Sequence, residues 1–287
     1  MRTLVTGAGG LLGRSAVPAL EGAGHEVLGL TRKDADVTDY EALARSVRAF
    51  RPDWVIHLAG FTRVDDSETR ADDAYLVNAL GARNAALAAA ASRAAVLLVS
   101  TDYIFDGTAR TPYREYDTPG PRSVYGASKL AGERAVRAVH PHHMIVRSGW
   151  FFGPGGSNFV DTILGKARAG EALKVVDDQR GSPTLTADLA DGLVRLVATG
   201  QFGTYHCTNS GDCTWYELAA HVLETAGLST RLEPTDTGSL ARPAPRPAYS
   251  VLGNRLFEHV TGNRMPHWRE AVDRHLRGAA DRARAAS

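Results

Sequence analysis

Tyr125 and Lys129 lie four residues apart in VYGASK and would share a face if this segment is helical. A phenol ionises near pH 10 and is a poor acid–base catalyst at neutrality. An ammonium one turn away stabilises the phenolate and draws its pKa toward the working range. Seen alone, a Tyr-x-x-x-Lys pair is usually a solvated helix face, so its weight comes from its surroundings. In AVLLVSTDYIFDG (95–107) an apolar run ends abruptly in Ser100, Thr101, Asp102 and Tyr103. The run reads as a buried strand, and open parallel sheets bind ligands beyond the carboxyl ends of their strands. Thr101 is placed there to donate a hydrogen bond to a substrate oxygen beside Tyr125. Asp102 is placed to accept from a substrate hydroxyl, to position the tyrosine loop, or to cap the turn.

A second constellation opens the chain. VTGAGGLLG (5–13) sets Gly7, Gly10 and Gly13 between a strand and a helix. Small residues let backbone amides approach a pyrophosphate, and the helix N-terminus adds positive potential. At the head of a βαβ pattern this predicts dinucleotide binding rather than a plain tight turn. The next strand ends in Thr31, Arg32 and Lys33, where an acid would favour NAD. The two cations suit a 2′-phosphate, so NADPH is expected ahead of NADH, with use of both left open. Solvated surface charge is the alternative reading of that pair. Asp36 and Val37 fall where they could flank the adenine.

These residues need a scaffold, and the patterning supplies one. Strands are expected at 2–7, 25–32, 53–60, 95–101 and 143–152, alternating with helices at 11–24, 39–50, 73–92 and 124–140. Short strands alternating with longer helices predict an α/β fold with a doubly wound parallel sheet. After about residue 150 the rhythm weakens, with helices expected at 157–170, 186–200 and 214–227. Residues 1–150, with returns from about 182–206, are therefore expected to form the cofactor-binding domain, and 151–287 mainly a smaller, partly interleaved substrate-binding domain. By composition alone, 233–254 reads as a Pro-rich linker, and the tail from 277 is expected to fray.

The totals narrow the partners. The chain has 287 residues, 44% hydrophobic and 23% charged, with a net charge of +1. Such a balance gives no field to draw nucleic acid or an acidic membrane surface. No apolar run approaches the roughly 20 residues of a membrane span, and the N-terminus reads as a strand rather than a signal peptide. Cys207 and Cys213 have no companions spaced for a metal site, so neither metal nor disulfide is expected. A cytoplasmic enzyme is the expectation, as a monomer or homodimer.

Taken together, the motifs resemble the extended short-chain dehydrogenase/reductases, and within them the dTDP-4-dehydrorhamnose reductase family, over nearly the whole chain. The similarity runs through TGAGGLLG, RPDWVIHLAGFTRVDDSE (51–68), VNALGARNAA (77–86), STDYIFDG, YGASKLAGE (125–133), VRSGWFFGPGGSNFV (146–160), DDQRGSPT (177–184) and RPAYSVL (246–252). It implies a Rossmann-type fold with Thr101, Tyr125 and Lys129 as the catalytic set. It further implies cofactor contacts from Gly10, Leu11, Leu12, Asp36, Val37, Leu58, Ala59, Gly60, Phe61, Thr62 and Val99, besides Tyr125 and Lys129. Val64, Thr101, Asp102, Trp150, Asn158, Gln179 and Arg246 would contact a dTDP-sugar, core packing being the alternative for Trp150. The resemblance also turns the Pro-rich stretch from linker into an ordered substrate loop.

The sequence departs from the family pattern in places. Leu11 stands where glutamine is frequent, and VLGN (251–254) lacks a frequent acid. Arg14 and Ser15 stand where some relatives carry a magnesium-binding glutamate, so that metal is not expected. The implied reaction is NADPH-dependent reduction of the C4 ketone of a dTDP-4-keto-6-deoxyhexose, most naturally dTDP-4-dehydro-β-L-rhamnose. Tyr125 would deliver the proton, Lys129 would hold the ribose and lower the Tyr125 pKa, and Thr101 would polarise the carbonyl. The alternatives are a 4-ketoreductase for an antibiotic deoxysugar of dihydrostreptose type, a nucleotide-sugar epimerase or dehydratase, and a non-catalytic subunit like that of methionine adenosyltransferase. An intact Thr-Tyr-Lys set weighs against the last.

Overall fold

The computed structural model describes residues 1–285. Its centre is a six-stranded sheet built from β1 (Arg2–Thr6), β2 (Glu26–Leu30), β3 (Trp54–His57), β4 (Ala95–Thr101), β5 (His143–Ser148) and the strand Gly203–His206. Across the sheet the order is Gly203–His206, β5, β4, β3, β1, β2, and every pair is parallel. The chain runs outward from β1 to β2, then crosses back to β3 on the other side. The carboxyl ends of β1 and β3 thus form the switch point, where loops diverge and leave a crevice.

The strand pleat explains how the sheet holds its two layers. Leu4, Val55, Val96, Leu98 and Ile145 point to one face, against α2 (Tyr40–Phe50), α5 (Gly81–Ala91) and Val136 of α6 (Val124–Val139). Val5, Ile56, Leu97, Val99, Met144 and Val146 point to the other, against α1 (Gly13–Gly22), α8 (Thr186–Thr199) and Phe257 of α10 (Arg255–Thr261). Alternate residues of each strand therefore feed separate cores, as a sheet covered on both faces requires. Each fully buried large apolar side chain contributes about 1.5–3 kcal/mol. A third core joins Phe152, Val160, Ile163, Leu173, Leu218, Val222, Trp268 and Val272. It unites α7 (Phe159–Arg168), α9 (Trp215–Thr225), α11 (Trp268–Ala285) and the paired strands Leu173–Val176 and Leu232–Thr235.

Three expected elements differ. The helix expected at 73–92 is α4 (Ala71–Tyr75), a π-helical turn (Leu76–Leu80) and then α5. The strand expected at 143–152 stops at Ser148, because Trp150 takes a left-handed φ of 53° and turns the chain into a short strand, Phe151–Phe152. The tail expected to fray from 277 is helical: α11 continues to Ala285, and the last two residues lie outside the described residues. The Pro-rich stretch is ordered. It contributes the strand Leu232–Thr235, and its later part is bonded to Asp65 and Arg180.

Candidate active site

A cleft of about 710 Å³ opens at the switch point. Gly7, Gly10, Leu11, Leu12 and Gly13 line it from the β1–α1 junction, and Leu58 to Thr62 from the end of β3. The glycines are required by close approach. A Cβ on Gly7, whose φ is 72°, would lie 2.6 Å from the Ala59 amide nitrogen, and one on Gly13 would lie 2.3 Å from the Gly7 carbonyl. The first turn of α1 carries neither a side-chain cap nor an acid, which leaves its amides suited to an anionic group. The far wall holds Thr31, Arg32, Asp36 and Val37. Asp36 bonds the Thr38 amide and hydroxyl and steadies the Arg32 guanidinium at 3.1 Å, and these contacts hold its carboxyl below the usual range. The residues present therefore fit a dinucleotide with a phosphorylated adenosine ribose. Lys33 does not share this wall. It is exposed and lies off the cleft, whereas Arg32, although its side chain is also largely exposed, lines it.

At the opposite end Val99, Ser100, Tyr125 and Lys129 line the same cleft. Ser123 caps α6 through the Gly126 amide, so the helix begins just before Tyr125 and places Lys129 one turn on. Lys129 Nζ donates to the Val99 carbonyl at 2.7 Å, and burial lowers its pKa to about 8. Tyr125 is hydrogen-bonded with Thr101, and burial raises its pKa to about 12. The expected lowering of the Tyr125 pKa by Lys129 is thus not found. Desolvation dominates, and the ammonium is turned to a carbonyl instead. The phenol keeps its proton at neutrality, the state a proton donor needs.

Thr101 and Asp102 lie beneath the cleft floor rather than on it. Thr101 Oγ donates to Asp102 Oδ1 at 3.0 Å, and Asp102 is buried, with its pKa raised to about 6 chiefly by desolvation. Tyr103 continues the turn, its ring edge-on to Tyr125 at 5.7 Å, and faces a second cavity of about 420 Å³. That cavity is lined by Gln179 and Arg246, together with Trp215 and Arg242. Gln179 donates to Thr237 Oγ at 2.8 Å and accepts from the Trp215 indole at 3.2 Å. Arg246 is held by both oxygens of Asp65, at 3.0 and 2.9 Å.

Three expected contacts fall elsewhere. Trp150 stacks flat on Trp215 with ring centroids 3.5 Å apart, so it backs the cavity wall instead of forming it. Asn158 is consumed as the cap of α7: it accepts from the Asp161 amide and donates to the Gly153 carbonyl at 3.0 Å. Val64 begins α3 (Val64–Thr69), outside both cavities, while its neighbour Asp65 makes the ionic contact.

Asn78 was not singled out by the sequence reading. It sits in the π-helical turn, accepts from the Phe61 amide at 2.8 Å, and donates to the Phe61 carbonyl and to Ser128 Oγ. Ser128 in turn donates to the Tyr125 carbonyl at 2.8 Å. One amide thereby ties the β3 loop to the helix that carries Tyr125 and Lys129. VNALGARNAA was the available signal; both its asparagines are buried, and nothing in its spacing marks Asn78 as the one that meets the β3 loop. The buried Glu133–Arg147 pair, at 2.9 Å, was also missed, because its partners lie on separate elements.

Known proteins share this arrangement. The family model described as RmlD substrate binding domain matches residues 1–280. A spore coat polysaccharide biosynthesis protein, SpsK of Bacillus subtilis, is 43% identical, with 96% of each chain covered. A dTDP-4-dehydrorhamnose reductase of Streptomyces griseus is also 43% identical, over 94% of this chain and 91% of its own. Among solved structures, dTDP-4-dehydrorhamnose reductase of Bacillus anthracis in complex with NADP superposes with a TM-score of 0.94 at 36% identity. It covers 96% of this chain and 98% of its own.

Proposed function

This chain belongs to the RmlD substrate binding domain family, that of the dTDP-4-dehydrorhamnose reductases, and we propose that it reduces the C4 ketone of a dTDP-4-keto-6-deoxyhexose with NADPH. The substrate in this reading is dTDP-4-dehydro-β-L-rhamnose, and the product dTDP-L-rhamnose. The observation that carries it is the meeting of a half-buried, protonated Tyr125 with Lys129 at one end of the glycine-lined cleft, with Thr101 beneath the floor beside the phenol.

Bound NADPH supplies the hydride for C4. The amides of the Gly7–Gly13 turn hold the pyrophosphate, and Arg32 meets the 2′-phosphate. Lys129, pinned by the Val99 carbonyl, is set to hold the nicotinamide ribose. The cavity of Gln179, Trp215 and Arg246 takes the nucleotide end of the sugar, and Tyr103 stands between it and Tyr125. Tyr125 gives its proton to the alkoxide that forms at C4, and Thr101 steadies the phenol oxygen. Fixing phenol and ketone in one orientation is the chain's main contribution to rate.

In this reading residues 1–150 and the returning segment near 182–206 hold the cofactor, while 151–287 mainly hold the sugar nucleotide. No helix among the described residues is long and apolar enough to cross a membrane, and we place the enzyme in the cytoplasm. The test is NADPH consumption on the 4-keto sugar formed in situ, with NADH in parallel and the product identified by NMR. One NADPH consumed per sugar reduced supports the reading. Product formed without net NADPH consumption indicates an epimerase or dehydratase and overturns it.

A further inference from the structure

We propose that Asp102 is the acid that reloads Tyr125 after each reduction, passing the proton through the Thr101 hydroxyl. This rests on the reduction proposed above and adds a role for a residue that lines neither cavity.

The geometry of three side chains carries it. Asp102 is only 3% exposed and lies under Gly149, where a Cβ would stand 2.4 Å from Oδ1. The hydroxyls of Thr101 and Ser250 face its carboxyl, and Oδ2 is left without a bond of good geometry. A buried carboxylate oxygen without a partner is costly, and a proton removes much of that cost. Burial accordingly raises the Asp102 pKa to about 6. Its ionisable neighbours are Tyr103 on the same turn and Tyr125 on α6, with Arg246 and Asp65 reaching Tyr103 from beyond.

Thr101 has one proton and two neighbours able to take it. Its oxygen accepts from the Tyr103 amide at 3.2 Å, and its hydroxyl is directed to Asp102 Oδ1 at 3.0 Å. While Asp102 is ionised, Thr101 is committed to it. Once Asp102 is protonated, the acid donates to Thr101 Oγ, which can then donate to the Tyr125 oxygen. Three bonds change in order. The Tyr125 O–H breaks as the C4 alkoxide takes its proton, the Thr101 proton moves to the phenolate, and the Asp102 acid proton moves to Thr101. The alkoxide's negative charge thus ends on Asp102, which regains a proton from water between turnovers.

The test is rapid mixing of enzyme and NADPH with excess 4-keto sugar, followed by NADPH fluorescence. Asp102→Asn keeps the shape and still bonds Thr101, but holds no transferable acid. The expected result is one NADPH oxidised per site at a rate within about twofold of wild type, then a steady rate lower by about tenfold or more. A burst and steady phase slowed alike indicate a merely structural residue and overturn the proposal, as does an unchanged steady rate. If the variant fails to bind NADPH, the wild type decides: a bowed proton inventory on steady-state turnover supports transfer of more than one proton, and a linear one overturns it. Wild-type enzyme that consumes no NADPH on the ketone would sink the underlying function instead.

Discussion

Arg32 and Lys33 carry the same charge at adjacent positions, yet only Arg32 lines the cofactor cleft. Charge and spacing alone mark both, whereas only the folded chain separates them. Arg32→Ala should therefore weaken NADPH binding by about tenfold, the worth of one charge-assisted phosphate contact, and leave NADH binding unchanged. Lys33→Ala should change neither, with fluorescence titration as the measurement. The same reasoning applies to the proton donor. Tyr125 and Lys129 are legible as a pair from their spacing, but the balance of forces on them is not. Burial sets both, leaving Tyr125 near 12 and Lys129 near 8. Tyr125→Phe removes the acid while keeping the ring against Tyr103, and turnover should fall by 10²–10⁴-fold. NADPH affinity should stay within about threefold, and near-normal turnover would eliminate the assigned role.

The π-helical turn Leu76–Leu80 shows what element-level patterning conceals. An apolar, Ala-rich run predicts a continuous helix there, and helix does flank the turn on both sides. The extra residue in the turn is invisible to a 3.6-residue period, because its cause is tertiary. Asn78 must meet both backbone groups of Phe61 and the Ser128 hydroxyl at once. Likewise Trp150 breaks the predicted strand after β5 in order to stack on Trp215, a partner in a distant helix. Asn78→Leu should leave the part-buried amide and carbonyl of Phe61 unpaired, at about 1–3 kcal/mol each, while Ser128 keeps its bond to the Tyr125 carbonyl. The expected outcome is a lower Tm together with at least a tenfold rise in the Kd for NADPH. Loss of stability with unchanged NADPH affinity would show that the turn does not shape the cofactor loop.

At the scale of the molecule, the parallel sheet and its glycine crevice could be read from alternation and motif order, since both are local signals repeated along the chain. The return of Gly203–His206 to the sheet edge and the contacts of the Pro-rich stretch are long-range, and pattern alone gave them less definition. That closure also buries ionisable groups whose effect on stability only the assembled fold reveals. His57 and His206 lie in the sheet's interior, and desolvation lowers both to about 3, with the Lys129 and Arg147 cations adding to it. Between pH 6.5 and 3 the unfolded chain therefore binds protons that the folded chain refuses. Stability should fall with acidification over that window by up to about 1.4 kcal/mol per pH unit for each histidine. Asp102, raised to about 6, binds its proton more readily when folded and opposes the loss between pH 6 and its ordinary value near 3.8. Glu115, also raised by burial, opposes the loss in the same sense, while His25 and His143, lowered by burial, add to the two deep histidines and leave a net decline. Urea midpoints taken from pH 6.5 to 4.5 should fall steadily for the wild type, and far less for the His57→Gln, His206→Gln double variant, in which the Asp102 contribution is left exposed. A double variant with the wild-type slope would show that acid sensitivity arises from carboxylate pairs such as Glu133–Arg147 instead of from buried imidazoles.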